Sequence, residues 1–457
     1  MIFDDTICAI STPQGIGGIA VIRISGNEAL AIADKVWHGA SLSNAPSHTA
    51  HFGEITDPDS GDVLDQAVAT IFVAPKSFTG ENVVEFSVHG SRWVQHELLR
   101  LLVRQGCRLA GPGEFTRRAF ADSRLDLAEA EAVADVIASA SRTAHRLAVS
   151  QLRGDFSQRI SQLRDRLIDL AAKIELELDF SEEDVEFVSR DSLLKLAGEV
   201  LSFVDKLAAS FAAGQAIRNG VPVAIVGATN AGKSSLLNRL VGDNRAIVSD
   251  IHGTTRDTIE ESIDIDGVTF RLIDTAGIRS TDDPIESLGI ERSLQSVASA
   301  KVIVWVVDSA DPSSFTAELQ TQIADQMPPD SQLIVAANKT DLGPSLLPAV
   351  DSASVCPISA LTGQGIEELR QAIRRASGID DTLVNSEVVV TNERHYEALT
   401  NASYALRRVI DGFGNGLPLD LIAQDLREAI HHLGAITGAI TSDTLLHTIF
   451  SRFCIGK

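Results

Sequence analysis

The stretch Gly227-Ala228-Thr229-Asn230-Ala231-Gly232-Lys233-Ser234 has the spacing G-x-x-x-x-G-K-[ST] of a phosphate-binding loop. It follows an apolar run, Val221-Pro222-Val223-Ala224-Ile225-Val226, and opens a helix-like run, Ser235-Leu236-Leu237-Asn238-Arg239-Leu240. That context matters, because the motif works only as a strand–loop–helix hinge. Gly227 and Gly232 let the backbone curl so that successive N–H groups face an anion, and the positive end of the new helix adds to their field. Asn230, Ala231, Gly232, Lys233, Ser234 and Ser235 would line the phosphates. Lys233 would meet the β- and γ-phosphates and the Ser234 hydroxyl would hold Mg²⁺. An isolated match of this kind also fits a Gly-rich turn before an ordinary helix.

Segments further along the chain narrow the reading. Asp274-Thr275-Ala276-Gly277 follows a strand-like run, Val268 to Ile273. It has the form D-x-x-G, an acid near the metal and a glycine whose amide can sense a γ-phosphate. Asn338-Lys339-Thr340-Asp341 ends another apolar run, Leu333 to Ala337. A carboxylate there accepts from guanine N1–H and the 2-amino group, a donor pair that adenine lacks, and buried polar mismatches discriminate strongly. Ser359-Ala360 follows Ser354-Val355-Cys356-Pro357-Ile358 and suits a loop closing over the base. Four motifs in this order point to GTP.

At 457 residues the chain is long enough for two or three domains. Acidic residues outnumber basic ones 62 to 39, a formal charge of −23. Such a surface repels nucleic acid unless basic groups are concentrated locally, and there is no long Lys/Arg run. If RNA is a substrate, a partner is expected to supply much of the phosphate contact. Cys8, Cys107, Cys356 and Cys454 are far apart and form no CxxC, which suggests neither a disulfide framework nor a zinc site. Met1-Ile2-Phe3-Asp4-Asp5 is no basic leader, and no uninterrupted apolar stretch reaches the roughly 18 residues of a membrane span. The chain reads as cytoplasmic, without stable membrane insertion.

Residues 1 to about 120 alternate strand-like segments (18–26, 65–73, 82–88) with turns and one helix-like segment, Val94 to Val103, which predicts a small α+β domain. Gly15-Ile16-Gly17-Gly18 reads as a tight turn rather than a nucleotide loop. From about Ser123 helical periodicity takes over, with Val133, Val136 and Ile137, then Leu163, Arg166 and Leu167. The acidic run from Glu175 to Glu186 reads as a solvated helix end and loop. Helical spacing resumes after the nucleotide motifs, from Asn392, with Leu399, Leu406, Leu421, Leu426, Ile430, Leu433, Leu445 and Ile449. That tail is short for a core of its own. The simplest account is a multidomain chain with an N-terminal α+β domain (1–120) and a discontinuous α-helical domain (121–217 and 380–457). A P-loop GTPase domain of α/β type (218–379) is inserted into the helical one, as insertion is tolerated where chain ends lie close.

Gly253-Thr254-Thr255-Arg256-Asp257, Asp274-Thr275-Ala276-Gly277 and the terminal Cys454-Ile455-Gly456-Lys457 resemble the tRNA-modifying GTPases called MnmE or TrmE. So do Arg23-Ile24-Ser25-Gly26, Ser77-Phe78-Thr79-Gly80-Glu81 and Gly111-Pro112-Gly113-Glu114-Phe115. The likeness runs the length of the chain, in order. It implies a homodimer working with an FAD-dependent partner of the MnmG (GidA) type. The pair would place an aminomethyl-type group on C5 of the wobble uridine of certain tRNAs, using a one-carbon unit from a tetrahydrofolate derivative bound as 5-formyltetrahydrofolate.

The resemblance also implies site residues. The GTP contacts extend to Ser249, Asp250, Ile251, His252, Gly253, Thr254 and Thr255, and Thr255 completes the Mg²⁺ shell with Ser234. Many signalling GTPases place a Gln after D-x-x-G to orient the attacking water. Ile278 stands there in this chain and can form no hydrogen bond through its side chain. Family members use K⁺, here assigned to Asn230 and carbonyls of Ser249, Ile251 and Thr254. Glu286 would orient the water, so Glu286, Asn230 and Lys233 are the catalytic candidates. Arg23, Glu81, Arg124 and Lys457 are the folate candidates: Arg suits a glutamate carboxylate, and Glu81 could hold the pterin edge as Asp341 holds guanine. Cys454 could be a nucleophile toward uridine C6, a small buried hydrophobe, or part of a tail that completes the folate pocket. Two other classes stay open, an assembly GTPase and a folate-dependent transferase whose GTPase is regulatory.

Overall fold

The computed structural model describes residues 3–13, 15–179, 190–242, 261–273, 296–311, 315–343, 354–380 and 388–456. They fall into two compact units, one of residues 1–137, 149–201 and 401–457, the other of residues 138–148 and 202–400.

The first unit begins with a sheet of order β3-β4-β5-β6-β2-β1-β7. Its strands are β1 (Ile7–Ile10), β2 (Gly17–Ser25), β3 (Trp37–His38), β4 (Thr49–Thr56), β5 (Val63–Phe72), β6 (Val83–Gly90) and β7 (Arg108–Leu109). Only the β1–β7 pair is parallel. Period-2 alternation sends Ile22, Ile24, Ala67, Ala69, Ile71, Phe86 and Val88 to one face. There α1 (Ala29–Val36) and α2 (Arg92–Arg104) cover them with Ile32, Val36, Leu98 and Leu102. The opposite face carries Arg23 and Ser25 on β2 and Glu85 on β6, and leaves Ile19, Phe52 and Val68 exposed.

The same unit holds α3 (Glu114–Ala121), α4 (Leu127–Ala138) and α6 (Asp155–Asp179), and near the end of the chain α13 (Leu419–Thr437) and α14 (Asp443–Phe450). Phe156, Ile160, Leu163, Leu167, Leu170 and Ile174 repeat at alternating steps of four and three along α6 and are all buried. That seam packs on α13, which buries Ile422, Ala423, Leu426, Ala429, Leu433 and Ile436. Sequence segments far apart thus share one helical layer, as the periodicity implies. Two positions read as core are not: Leu421 and Ile137 are exposed. The buried stripe of α13 starts one residue later, at Ile422, and α4 buries its first turns, where Leu127 and Ala130 meet Leu446 and Phe450 of α14. At the end of α6, Glu175 pairs with Arg427 on α13 at 3.3 Å; residues 180–186 of the acidic run lie outside the described residues.

The second unit is built on a sheet of order β13-β12-β11-β8-β10-β9, parallel except for the β9–β10 hairpin. The strands are β8 (Val221–Val226), β9 (Glu261–Ile265), β10 (Val268–Ile273), β11 (Val302–Asp308), β12 (Gln332–Asn338) and β13 (Ser354–Pro357). Val302 to Val307 are all buried, the near-continuous apolar run of a parallel strand covered on both faces. Helix α9 (Lys233–Gly242) follows β8, and α11 (Ile366–Ala376) packs against β12 and β13, while α10 (Ala317–Gln326) contributes Ile323 to the other face. Because β8 lies between β10 and β11, the loop at its carboxyl end opens at the switch point of the strand order, where such sheets bind ligands. Residues 191–219, spanning α7 (Arg190–Ala209) and α8 (Phe211–Asn219), reach a mean hydropathy of 1.2 and pass a length-and-composition test for a membrane span. Ser210 breaks this stretch into the two helices, and Leu193, Ala197, Val200, Val204 and Leu207 are buried in the fold.

Candidate functional site

In the second unit the loop 227–232 leaves β8 and turns into α9 as the sequence predicts. Close approach explains its two glycines. A Cβ on Gly227 would lie 2.2 Å from the Val306 carbonyl oxygen, and one on Gly232 would lie 2.1 Å from Asn338 Nδ2. Asn230 sits in the left-handed region at φ 62°, which Asn tolerates better than most residues, with its side chain exposed. Lys233 folds back over the loop, its Nζ donating to the carbonyls of Gly227 at 2.8 Å and Ala228 at 2.9 Å. Burial pushes the Lys233 pKa down. An anion seated in the loop would offset that desolvation and give the ammonium a charged partner.

Asn338 clasps three segments together. It is buried at the end of β12, its Nδ2 donates to the Ala231 carbonyl, and its Oδ1 accepts from the Ala360 N–H, both at 2.9 Å. The Ser359 hydroxyl donates to Asp341 Oδ1 at 2.6 Å. The loop 227–232, the segment 338–341 and the pair 359–360 therefore form one wall. Lys339, in the left-handed conformation, reaches Asp308 Oδ2 at the end of β11, at 2.6 Å. Arg239 on α9 donates to the carbonyls of Ala360 at 3.4 Å and Leu361 at 2.7 Å, tying the helix after the phosphate loop to the closing loop. Sequence reasoning passed over both Asp308 and Arg239. The acid ending the apolar run of β11 was a readable signal for the first; nothing marks Arg239 until the fold is known. Ser249, Asp250, Ile251, His252, Gly253, Thr254, Thr255, Asp274, Thr275, Ala276, Gly277 and Glu286 lie outside the described residues.

In the first unit the end of the chain reaches the N-terminal sheet. Pro112 bridges to Ile455, the Gly113 N–H donates to the Cys454 carbonyl at 3.4 Å, and the Ser11 hydroxyl donates to the Gly456 carbonyl at 3.1 Å. Arg23 is held by Glu85 at 2.8 Å and also points an Nη at the Gly456 carbonyl, 3.5 Å away. Glu81 does not pair with Arg23; its oxygens take the buried Arg118 at 3.0 Å and the Ser25 hydroxyl at 2.6 Å. Arg124 is exposed just past α3, and Lys457 lies outside the described residues. Cys454 is exposed, which sets aside the reading of it as a buried hydrophobe.

Comparison with known proteins reaches the whole chain. Residues 6–124 match the family model described as the GTP-binding protein TrmE N-terminus, and residues 127–454 match the MnmE helical domain. The "tRNA modification GTPase MnmE" of Bacteroides thetaiotaomicron is 47% identical, with 99% of this chain and 99% of that protein covered. Its namesake in Parabacteroides distasonis is 48% identical over 99% of this chain and 100% of that protein. The chain belongs to the MnmE family.

Among solved structures, the G-domain of FeoB from Methanococcus jannaschii aligns with 35% of this chain and 98% of that chain at 27% identity and a TM-score of 0.26. As an MnmE-family member the chain is a GTP hydrolase, and GTP with Mg²⁺ is the expected nucleotide complex. The donor set fits that group: a loop with no room for side chains at its two bends, a lysine folded over it, and the Ser234 position at the start of α9.

The buried Arg118 belongs to an ion-pair group, with half-exposed Asp5 and Arg108, that the sequence did not announce. Arg118 meets Asp5 at 2.7 Å and Glu114 at 3.2 Å, and Arg108 meets Asp5 at 2.6 Å and Glu114 at 2.5 Å. Burial would raise the pKa of Asp5 and Glu114. Hydrogen bonds from Arg108 lead the opposing effects, and both carboxyls end below their usual values of 3.8 and 4.5. Groups lowered in this way stabilise the folded state above their unfolded-state pKa and cease to do so as pH falls through the folded values. The first unit is therefore expected to lose thermal stability below about pH 4.5, and Glu114→Gln to flatten that dependence in a melting-temperature series. A native profile flat down to pH 3 would contradict this.

Cys8 and Cys107, distant in sequence, share the core under α2 as free thiols. The hydrogen bond with Cys8, then burial, pushes the Cys107 pKa up.

Proposed function

We propose that this MnmE-family GTPase drives modification of the wobble uridine of certain tRNAs. It would act with an FAD-dependent partner to add a (carboxymethyl)aminomethyl group at C5. The observation that carries the GTP half is the Asn338 clasp, which sets the Asp341 carboxylate beside the closing loop and in one wall with the phosphate loop. Full-length identity to tRNA modification GTPases supports the tRNA half.

In this reading the N–H groups from Asn230 to Ser235 cradle the phosphates, and Lys233 leaves the carbonyls of Gly227 and Ala228 for the β- and γ-phosphates. Asp341 accepts the two guanine donors while Ser359 and Ala360 close over the base. Mg²⁺, held through Ser234 and Thr255, would neutralise phosphate charge, and K⁺ at Asn230 and the carbonyls of Ser249, Ile251 and Thr254 would extend that neutralisation into the transition state. Glu286 would orient the attacking water, and Asp274 and Gly277 would report the γ-phosphate to the loops on either side. In the N-terminal domain, Arg23, Glu81, Arg124 and Lys457 would hold a tetrahydrofolate such as 5-formyltetrahydrofolate. The arrest of the Gly456 carbonyl beside Arg23 supports a tail that completes this pocket. A homodimer is supported by the exposed part of the sheet face that carries Arg23, where Ile19, Phe52 and Val68 lie. Work in the cytoplasm follows from the tRNA substrate.

The test is the nucleoside content of bulk tRNA after deletion of the gene. Loss of 5-aminomethyl-type uridines, restored by the native gene and not by Asp341→Asn, is the expected result. Unchanged wobble uridines in a host with no second copy would favour an assembly GTPase instead.

A further inference from the structure

We infer that the buried Arg118 is a positioning residue for Glu81: it fixes a carboxylate whose remaining lone pairs form a receptor for paired N–H donors. The inference rests on the reading of Glu81 as a ligand-binding group and adds what makes it one.

Arg118 is 1% exposed and lies on α3, yet its partners come from two other places in the chain as well as from its own helix. Nη1 donates to the Asp5 carbonyl at 2.8 Å and to Glu81 Oε1 at 3.0 Å, and Nη2 donates to Asp5 Oδ1 at 2.7 Å and Glu114 Oε1 at 3.2 Å. The Phe3 ring lies 4.7 Å from the guanidinium carbon. Glu81 is held from its other side by the Ser25 hydroxyl at 2.6 Å, itself 2.7 Å from the Thr79 hydroxyl. The backbone of Glu81 is pinned too, since its N–H donates to Thr79 Oγ1 and its carbonyl accepts from Ser77 Oγ.

Among the described residues each oxygen of Glu81 has one side-chain donor, and a carboxylate oxygen can accept more than one. What remains is a pair of acceptor sites side by side, the arrangement that Asp341 is read as offering to guanine. The matching ligand edge carries a ring N–H next to an exocyclic amino group, as fused pyrimidines do. Arg23 lies two residues before Ser25 on the same face of β2, roughly 7 Å along the strand, so an anionic tail of the same ligand has a cation within reach.

The test compares binding of 5-formyltetrahydrofolate to the full-length native protein, Glu81→Gln, Arg118→Lys, Ser25→Ala and the Glu81→Gln/Arg118→Lys double variant, with melting temperatures alongside. A lysine keeps the charge but cannot span Glu81, Asp5 and Glu114 at once. Arg118→Lys and Ser25→Ala are expected to weaken binding about tenfold each through loss of a charge-assisted hydrogen bond. Arg118→Lys should add little once Glu81 is Gln, because its effect passes through that carboxylate. Full additivity in the double variant, or native affinity in Arg118→Lys, would overturn the inference.

Failure of the folate reading has a different signature: the native protein would show no specific binding, or Glu81→Gln would keep the native affinity. The positioning role is then decided without ligand. In a crystal structure of ligand-free Arg118→Gln, the Glu81 carboxylate is expected to turn from its native place and lose the Ser25 hydroxyl. Arg118→Lys serves if Arg118→Gln does not fold. A Glu81 side chain that keeps its native place and order rejects the inference.

Discussion

Asp341→Asn will lower the affinity for GTP by about 10⁴-fold and leave the fold and the closing loop intact. The size follows from what the substitution does at the base edge. Guanine presents two donors, N1–H and the 2-amino group, and a carboxylate accepts both. An asparagine places its own NH₂ against one of them, so a lost charged hydrogen bond is compounded by two donors facing each other. The structure says why the damage stays local. Ser359 donates to Asp341 Oδ1 at 2.6 Å, and an asparagine Oδ1 accepts that bond equally well, while Asn338 keeps its bonds to Ala231 and Ala360. The sign of the discrimination should reverse with xanthosine triphosphate, whose C2 carbonyl accepts from the new NH₂. Titration with a fluorescent nucleotide measures both affinities. A loss of GTP affinity below threefold, with no gain for the xanthine nucleotide, would show that Asp341 does not read the base.

How much of this was legible in the sequence depends on the range of the interaction. The phosphate loop could be read because its constraint is local: Gly227 and Gly232 are demanded by backbone curvature within eight residues. The clasp could be read only in parts. Asn338 was visible as a motif residue, but its partners at Ala231 and Ala360 follow from the parallel register of β8, β11 and β12, which periodicity does not specify. The helical layer was legible because α6 and α13 each carry their own apolar stripe, although the exposed Leu421 shows that a list of leucines can miss the stripe by one position.

The N-terminal site was the least legible. Arg23 and Glu81 were singled out together, yet each has another partner, Glu85 and Arg118 respectively. No single-sequence signal separates a buried arginine from an exposed one: Arg117 and Arg118 are neighbours in Thr116-Arg117-Arg118-Ala119, and only the turn of α3 sends Arg118 among three carboxylates.

Hydrolysis will run at least about 10²-fold faster in K⁺ than in Na⁺, and Asn230→Gly will erase most of that ratio. A positive charge beside the transferring phosphoryl group is worth ~10³–10⁵ in rate where an arginine finger supplies it, and this chain lacks the glutamine that usually follows D-x-x-G. Asn230, the proposed amide ligand, is exposed on the phosphate loop with φ at 62°. That backbone angle dictates the choice of variant. Alanine would remove the amide and strain the loop at once, confounding cation loss with phosphate loss. Glycine accepts positive φ freely, so Asn230→Gly deletes the amide oxygen and preserves the curl that presents the N–H groups. The expected pattern is a rate that falls in K⁺ to near its Na⁺ value while affinity for a non-hydrolysable GTP analogue changes little. If instead the native protein turns over equally fast in both salts, the missing positive charge comes from elsewhere. Arg256 and Arg279, on either side of the D-x-x-G segment, would then be the first residues to replace.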